Sequence, residues 1–327
     1  MLPIGKLDSE LLKRLVFSHL NHQREEVTLR AALGEDCAVL NPGGALCVLS
    51  TDPITGAGEI LGRLAVHVNC NDIAAQGVAP VALMLTLLAP AGTTAQELEA
   101  VMSQAAREAA RLNVEIIGGH TEITTAVNRM VVSGVALGLK APGAAPEPPQ
   151  PGDLLVMTKT AGLEGTGILL SDCRDRLSEV LTPQELEAGA FFLDRLSVVP
   201  EGVLGGQHGA RKLHDVTEGG IHGAVWELCH ASGLGCRLYE DRIPVHPLTA
   251  KICGFFGLNP YRLISSGTLL LILPPAQAEG YLAALSAQGI PGTVIGEMAH
   301  GEPQLWDGLR WAPLDPPGPD ELFRVVG

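Results

Sequence analysis

Apolar stretches alternate with polar turns along the chain, and their lengths predict strands and helices in turn. Strands are predicted over residues 45–51, 81–89, 114–119, 129–138, 154–159, 262–273 and 293–298. Helical spacing of apolar residues predicts helices over 60–77, from Thr94 to about Asn113, over 221–233 and over 277–288. Strands that alternate with helices are typical of an α/β or α+β fold. The run at 45–51 is apolar enough to be predicted as a buried strand ending at Asp52.

Helix starts and a chain break divide this pattern further. The T-x-x-E sequences at Thr94–Glu97 and Thr182–Glu185 are capping boxes, and each predicts the start of a helix. Residues 141–153 form a Pro-rich break, the best candidate for a domain boundary. A chain of 327 residues fits two domains, which we place at 1–145 and 150–327.

The helix predicted at 60–77 carries an unusual polar face. Asn69, Asp72 and Gln76 fall at i, i+3 and i+7, on one side of an otherwise apolar helix. A solvated face would normally carry Lys and Glu, and this one carries neither. An amide and a carboxylate one turn apart therefore point to a functional role for this face.

Composition narrows the class of protein. The formal net charge of -14 argues against nucleic acid or an anionic membrane as partner, because either would require a basic surface. No apolar run has signal-peptide character or approaches the roughly 20 residues of a membrane span. The seven cysteines are scattered and include no C-x-x-C pair. We expect a cytoplasmic protein.

Several familiar catalytic signatures are missing from the chain. There is no G-x-x-x-x-G-K-[ST] and no G-x-G-x-x-G after a strand, which disfavours a P-loop enzyme or a dinucleotide oxidoreductase. There is no G-x-S-x-G elbow either, so a hydrolase using Ser265 or Ser266 is only a minor alternative.

Acidic residues at the ends of strands and in turns are the more informative signal. Asp36 lies in a glycine turn, Asp52 ends an apolar strand, Asp72 lies on the polar helix face and Asp215 opens a turn. With 36 Asp and Glu against 22 Lys and Arg, divalent cations such as Mg²⁺ are plausible partners for these carboxylates. Taken singly, each acid is better explained as a cap or a turn residue than as a metal ligand.

Two glycine-rich segments raise the question of phosphate binding. Gly118–Glu122 follows a predicted strand, and residues 161–167 follow Lys159. Glycine turns expose backbone N–H groups to anions, and a helix start adds a favourable dipole. Spacing alone leaves plain tight turns as the favoured alternative. His120, within the first segment, is the best functional candidate among the histidines.

The ordered set of motifs resembles a known superfamily. The segments are G-E-D-C-A-V (34–39), S-T-D (50–52), N-x-N-D-I-A-A-Q-G-x-x-P (69–80), G-G-H-T-E (118–122), T-K-T-A-G (158–162) and H-D-V-T-E-G-G (214–220). Together they resemble the aminoimidazole ribonucleotide synthetase (PurM-like) superfamily, which includes thiamine-monophosphate kinase, selenophosphate synthetase and the hydrogenase-maturation dehydratase.

The resemblance implies a fold, a cofactor and a site. It implies a two-domain α/β (α+β) fold in which the N-terminal sheets of a homodimer join into a barrel, with ATP bound through Mg²⁺ ions. By resemblance, the metal ligands are Asp36, Asp52, Asp72 and, from the second domain, Asp215. The nucleotide would be bound by Asn69, Gly118, Gly119, His120, Thr121, Glu122 and Thr217. Lys159 and His120 would be the catalytic residues, with Lys159 on the substrate or phosphate side.

Departures from the closest family member leave the reaction open. The hydrogenase-maturation dehydratase carries its substrate group on a C-terminal cysteine, whereas the sequence here ends DELFRVVG and its last cysteine is Cys253. We therefore expect an ATP- and Mg²⁺-dependent enzyme that phosphorylates or activates a small molecule or carrier group. The alternative is a hydrogenase-maturation accessory protein that binds nucleotide, works with a maturation partner and lacks the dehydratase activity.

Overall fold

The computed structural model describes residues 5–6, 9–30, 39–55, 58–143 and 146–326. Within them the chain divides into two compact units. The N-terminal unit comprises residues 1–73 and 78–143, and the C-terminal unit comprises 74–77 and 144–327.

Helices and strands of the N-terminal unit follow the predicted alternation. Its strands are β1 (Gly5–Lys6), β2 (Val27–Leu29), β3 (Val39–Leu40), β4 (Leu46–Ile54), β5 (Pro80–Pro90), β6 (Glu115–Thr124) and β7 (Val131–Lys140). Its helices are α1 (Ser9–Leu15), α2 (Leu61–Ala74) and α3 (Ala95–Arg111). Five strands form a mixed sheet in the order β1-β6-β5-β7-β4, and β2 pairs with β3. The Thr94 capping box predicted for α3 is confirmed, since Thr94 and Glu97 bond each other's backbone N–H groups.

One face of this sheet is covered by α2 and the other carries exposed apolar side chains. Gly134 and Gly138 on β7 let α2 approach closely, since a Cβ on either would lie 2.4 Å from a side-chain atom of Asn69 or Ile73. On the opposite face, Leu49 is 62% exposed and Met84 is 40% exposed.

The C-terminal unit is built on a second mixed sheet. Its strands are β8 (Leu154–Thr158), β9 (Lys212–Asp215), β10 (Gly235–Tyr239), β11 (Leu269–Leu273), β12 (Gly292–Ala299), β13 (Gln304–Trp306) and β14 (Trp311–Pro313), ordered β14-β13-β10-β12-β8-β11-β9. Its helices are α4 (Leu163–Asp172), α5 (Arg174–Leu177), α6 (Pro183–Leu186), α7 (Gly189–Leu193), α8 (Val199–Gln207), α9 (Gly220–Ser232), α10 (Pro247–Phe256) and α11 (Pro275–Ala287). The mixed α/β architecture predicted from the sequence is confirmed.

Two predicted strands differ from the structure, and one hairpin was not predicted. The strand predicted as buried at 45–51 is instead an edge strand, β4, with Leu46 and Leu49 exposed. An apolar run alone does not distinguish a core strand from one whose apolar side faces outward. Of the strand predicted at 262–273, only Leu269–Leu273 is a strand. Beyond the strand predicted to be last, β13 and β14 add a short hairpin.

The glycine turn predicted at Gly118–Glu122 was also wrong, because these residues lie within β6. Gly119 has a φ of +148° and packs against β5, where an added Cβ would lie 1.8 Å from the carbonyl oxygen of Leu85. The glycine therefore permits close pairing of β5 with β6 at an irregularity in their register.

Among the helices in the described ranges, none combines the length and apolarity that crossing a membrane requires.

Candidate functional site

The polar face of α2 meets β4, and Asn69 makes the junction. Asn69 is fully buried and accepts a hydrogen bond from the Asp52 N–H through Oδ1 at 2.8 Å. Its Nδ2 donates to the carbonyl oxygens of Asp52 at 3.2 Å and Ala65 at 2.9 Å. Both ends of the amide are thus engaged with backbone, so Asn69 fixes where Asp52 lies. Its predicted contact with a nucleotide stays a prediction.

Asp72 is bound to the same strand one helical turn further along. The Ser50 hydroxyl donates to Asp72 Oδ2 at 2.5 Å. Ser50 and Asp52 lie on one face of β4 because they are two residues apart, and Asn69 and Asp72 share one face of α2. The half-buried carboxylates of Asp52 and Asp72 are therefore brought to the same strand–helix junction. Sequence reasoning missed Ser50, although it stands in the quoted S-T-D motif.

This junction offers a hard cation two aspartates, which is fewer protein ligands than a closed metal site has. Among the residues that the structure describes, no group of three or more His, Cys, Asp or Glu side chains is arranged to hold a metal ion. Mg²⁺ usually keeps several waters and takes one or two protein carboxylates together with substrate phosphates. Two aspartates at one strand–helix junction fit that mode of binding. Asp36, the third predicted ligand in this domain, lies outside the described residues.

Five of the residues predicted to bind the nucleotide, Gly118 to Glu122, lie elsewhere on the same sheet. His120 and Glu122 are half-exposed on β6, with Nε2 and Oε2 3.2 Å apart. Gly118, Gly119 and Thr121 belong to the same strand. Strands β5 and β7 lie between β6 and β4, so His120 and the Asp52 strand are three strand spacings, or roughly 15 Å, apart.

A cleft opens near the end of β4. It has a volume of about 450 Å³ and is lined by Thr55 and by residues 125–129 and 131, between β6 and β7. Thr55 lies three residues beyond Asp52, so the cleft and the carboxylate pair are neighbours along β4. Arg129 is its one cationic lining residue.

Lys159, predicted to be catalytic, is enclosed within the C-terminal unit. Its Nζ lies 2.5 Å from Glu201 Oε1 and donates to the carbonyl oxygens of Arg195, Ser197 and Gly267. Burial lowers the pKa of the Lys159 ammonium, and the Glu201 carboxylate opposes that shift. All three Nζ protons are directed at oxygen atoms of this unit. The geometry favours a structural role, and the catalytic role stays a prediction.

Asp215 and Thr217 lie at the start of a loop that leads into α9. Asp215 ends β9 and is buried. The Thr217 carbonyl oxygen accepts hydrogen bonds from the N–H groups of Gly220 and Ser265. The turn and helix predicted for this segment are confirmed, with Gly219 at a φ of +83° before α9.

Beneath this loop lies an acidic residue that the sequence analysis did not select. Glu164, in the first turn of α4, is 5% exposed, and burial raises its pKa to about 7. Ser266 donates to its carboxylate from both the hydroxyl and the backbone N–H. The sequence offered one signal for Glu164, its position within the glycine-rich segment A-G-L-E-G-T-G (161–167). Ser265, the hydrolase alternative, is fully buried and bonded to the Gly162 N–H and the Thr268 hydroxyl, with no histidine in that network.

Comparison with known proteins finds relatives over nearly the whole chain. The family model described as AIR synthase related protein, N-terminal domain, matches residues 34–140, and that of the C-terminal domain matches 150–305. Carbamoyl dehydratase HypE of Rhizobium leguminosarum bv. viciae is 30% identical over 282 residues, covering 81% of this chain and 77% of that protein. The HypE of Escherichia coli K12 is 28% identical over 297 residues, covering 84% and 81%.

Solved structures share the fold. Escherichia coli HypE superposes with a TM-score of 0.80 at 23% identity, covering 96% of this chain and 99% of that one. A hydrogenase maturation protein HypE in complex with ATP gives a TM-score of 0.75 at 22% identity, covering 96% and 95%. A HypE–HypF complex gives 0.71 at 21% identity, covering 83% and 90%.

Proposed function

Because the chain belongs to the AIR synthase related protein family, we propose that it is an ATP- and Mg²⁺-dependent enzyme that phosphorylates or activates a small molecule or carrier group. The observation that carries this proposal is the placement of Asp52 and Asp72 at one junction of β4 and α2, through the bonds of Asn69 to the Asp52 backbone and of Ser50 to the Asp72 carboxylate. A HypE of the same fold has been solved with ATP, which supports nucleotide use.

Asp52 and Asp72 would hold the metal. Both are half-buried, and each is fixed from a neighbouring element, Asp52 by the Asn69 amide and Asp72 by the Ser50 hydroxyl. Mg²⁺ bound there would neutralise phosphate charge, which is most of what phosphoryl transfer requires of a protein. The nearby cleft with Arg129 offers space and positive charge for the rest of a nucleotide.

Thermal unfolding with and without ligand tests this site. A ligand present at about 100 times its Kd stabilises the folded state by roughly 2.7 kcal/mol. We expect ATP to raise the Tm of the wild-type protein only when Mg²⁺ is present. Asp72→Asn should abolish that shift, because it removes a charge at the metal and keeps the side-chain shape.

Asp172→Asn is the matched control, because Asp172 is an exposed aspartate at the end of α4. It should keep the full Mg²⁺-dependent shift. An Asp72→Asn protein that binds ATP with wild-type Mg²⁺ dependence would overturn the metal assignment. The absence of any ATP shift in the wild type would overturn nucleotide use itself.

The second candidate is a nucleotide-binding accessory protein of hydrogenase maturation that acts through a partner protein. The enclosure of Lys159 favours it, because that lysine has its donors engaged within its own unit. The HypE–HypF complex supports the idea of a maturation partner. Phosphate release with repeated turnover would decide for the enzyme, and stoichiometric binding without release would decide for the accessory protein.

A homodimer is the oligomeric state we propose. The outward face of the N-terminal sheet carries Leu49, Met84 and Val135, exposed by 62%, 40% and 40%. Met84 and Val135 are paired residues on adjacent strands, and Leu49 lies on the next strand opposite Leu137. A second copy of the same face could cover this apolar surface in an isologous contact.

A further inference from the structure

A small cavity opens on the C-terminal unit where the end of α9 meets the turn that follows β12. Its volume is about 240 Å³, and Trp226, Cys229, His230 and Glu302 are among the residues that line it. Sites for whole small-molecule ligands usually have volumes of roughly 300–1,000 Å³. This cavity is therefore better matched to a single side chain than to a complete cofactor.

Backbone contacts fix the walls of the cavity. Gly233 caps the end of α9 at a φ of +66°, and the Leu234 N–H then donates to the Cys229 carbonyl oxygen at 3.2 Å. On the other wall, the turn packs against Gly235, where an added Cβ would lie 2.4 Å from the Gly301 carbonyl oxygen. A cavity whose walls are held in this way is already formed before a ligand enters, which lowers the entropic cost of binding.

Two stacked aromatic rings line one side of the cavity. Trp226 and His230 are one helical turn apart on α9, with ring centroids 5.0 Å apart and planes inclined by 7°. Trp226 is half-buried and His230 is exposed. Indole is the aromatic ring that attracts cations most strongly, and a planar guanidinium group can stack on it. This side of the cavity therefore favours a planar cation.

The charge at the cavity is negative. Among the lining residues that the structure describes, Glu302 is the only acid, and none is Lys or Arg. The C-terminal end of a helix also carries partial negative charge. At this end of α9, Lys212 donates to the Ala231 carbonyl oxygen at 3.4 Å, so one ammonium group is already bound beside the cavity. The carboxylate and the helix end both favour a positively charged occupant.

We propose that this cavity binds an arginine side chain of a basic partner protein, with the guanidinium group stacked on the aromatic pair and hydrogen-bonded to the Glu302 carboxylate. An arginine that fills a pocket is a frequent anchor of protein–protein interfaces. The net charge of -14 favours association with a basic surface. The described lining residues all belong to the C-terminal unit, so the inference does not depend on ATP binding.

Two peptides of nearly the same shape test the site. One is acetylated and amidated Gly-Gly-Arg-Gly-Gly, and the other carries citrulline, whose urea group is neutral, in place of arginine. The chain has three tryptophans, so binding to the isotope-labelled full-length protein can be followed at the indole N–H signals by NMR. Trp226→Phe identifies the Trp226 signal by removing it. We expect the arginine peptide to shift this signal and to bind at least ~10-fold more tightly than the citrulline peptide, which lacks the cation–π attraction and the charge-assisted bonds.

Glu302→Gln is the decisive variant. Glu302 is exposed, so the substitution leaves the core intact, and it removes the carboxylate while keeping the side-chain shape. The arginine peptide should then lose most of its advantage over the citrulline peptide. Glu227→Gln is the matched control, because Glu227 is exposed and adjacent to Trp226 on α9 but does not line the cavity. It should keep the wild-type preference.

Three results would overturn the inference: equal binding of the two peptides to the wild type, no shift of the Trp226 signal at millimolar arginine peptide, or an unchanged preference in Glu302→Gln. Free L-arginine provides a further test, because a site for a small molecule would also recognise its α-ammonium and α-carboxylate groups. Tighter binding of free arginine than of the peptide would overturn the assignment to a partner protein.

Discussion

At the scale of single residues, the amide of Asn69 shows how a polar group on an apolar helix becomes structural. Its oxygen and nitrogen both bond the backbone of Asp52 on the neighbouring strand. A buried amide with satisfied hydrogen bonds is tolerated, whereas an unsatisfied one is costly. The proposed functional groups at the junction are therefore the carboxylates of Asp52 and Asp72, which Asn69 and Ser50 help to position. Sequence spacing placed Asn69 and Asp72 on one helix face. It did not show that the Asn69 side chain would form its hydrogen bonds with the backbone of a neighbouring strand.

Glu108 is a second buried acidic residue. Its charged neighbours are basic, whereas those of Glu164 are acidic. Burial raises the pKa of Glu108, but His67 and the guanidinium groups of Arg63 and Arg111 outweigh that effect and hold the pKa at about 2. Arg111 and Arg63 lie 3.1 and 3.4 Å from its carboxylate oxygens. The network joins α2 to α3.

We predict that Glu108→Gln destabilises the protein by roughly 1–3 kcal/mol at neutral pH, because it removes the counter-charge of the half-buried Arg63 and of the more exposed Arg111. The pKa of Glu108 falls from 4.5 in the unfolded chain to about 2 on folding. The stabilisation is therefore complete above pH 4.5 and disappears as the pH falls towards 2. Urea unfolding of both proteins at several pH values measures this difference.

The matched control is Glu99→Gln, because Glu99 lies on the same helix but is exposed. Its free energy of unfolding should stay close to that of the wild type. A Glu108→Gln protein with wild-type stability at pH 7, or a difference that persists at pH 2, would show that the network does not stabilise the fold in this way.

At the scale of elements, two glycines decide how α2 lies on its sheet. Gly134 and Gly138 are four residues apart on β7, so they face the same side of the sheet. They meet Asn69 and Ile73, which are four residues apart on α2. The strand thus provides two adjacent gaps that receive two successive turns of the helix. This contact places the Asp72 turn of α2 over β4.

We predict that Gly134→Ala lowers stability by about 1–3 kcal/mol, the usual cost of overpacking a core contact. The new Cβ would lie 2.4 Å from Asn69 Nδ2, so the amide has to move and its bonds to Asp52 weaken. The Mg²⁺-dependent ATP shift should also decrease, because Asp52 is then less well positioned. Denaturant unfolding and thermal shift measure the two effects.

Gly254→Ala serves as the control for this substitution, because an added Cβ at Gly254 meets nothing within 4 Å. Gly254 lies inside α10, so alanine should leave stability unchanged or raise it. If Gly134→Ala is as stable as the wild type and keeps the full ATP shift, the close approach of α2 does not position the site.

The sequence predicted elements better than it predicted their surroundings. The lengths of α3 and β5 and the turn before α9 follow from local signals, namely a capping box, an apolar run and a Gly-Gly pair. Burial depends on tertiary structure and not on the local sequence. The apolar runs of β4 and β5 are similar, so β4 was predicted to be buried like β5, although it lies at the edge of the sheet. Glycines are ambiguous for the same reason, since Gly119 supports strand pairing and Gly162 begins a helix.

At the scale of the whole molecule, the ordered motifs predicted the mixed two-part fold because those within the described residues lie on successive elements, from β4, α2 and β6 to the end of β8 and the loop before α9. Local spacing could not predict which motif residues remain accessible. Lys159 illustrates the limit, because its ion pair with Glu201 joins residues 42 positions apart that no local pattern relates. The pKa of Glu164 likewise depends on Ser266 and Asp320, which come from distant parts of the chain.

The apolar outer face of the N-terminal sheet leads to the last prediction. Val135 lies on β7 between Met84 on β5 and Thr51 on β4, near the middle of the exposed face. A charge there would be desolvated in a dimer and solvated in a monomer. Val135→Glu should therefore dissociate the proposed dimer, with an increase in Kd of at least ~100-fold, and leave the fold of each protomer intact.

Sedimentation velocity over a range of protein concentrations measures this equilibrium. Val180→Glu is the matched control, because Val180 has a similar exposure of 38% but belongs to the C-terminal unit. We expect it to sediment as the wild-type dimer does. A wild-type protein that stays monomeric at all concentrations would contradict the proposed dimer. A Val135→Glu dimer as tight as the wild type would show that copies associate through another surface, and the exposed apolar strands would then require a different partner.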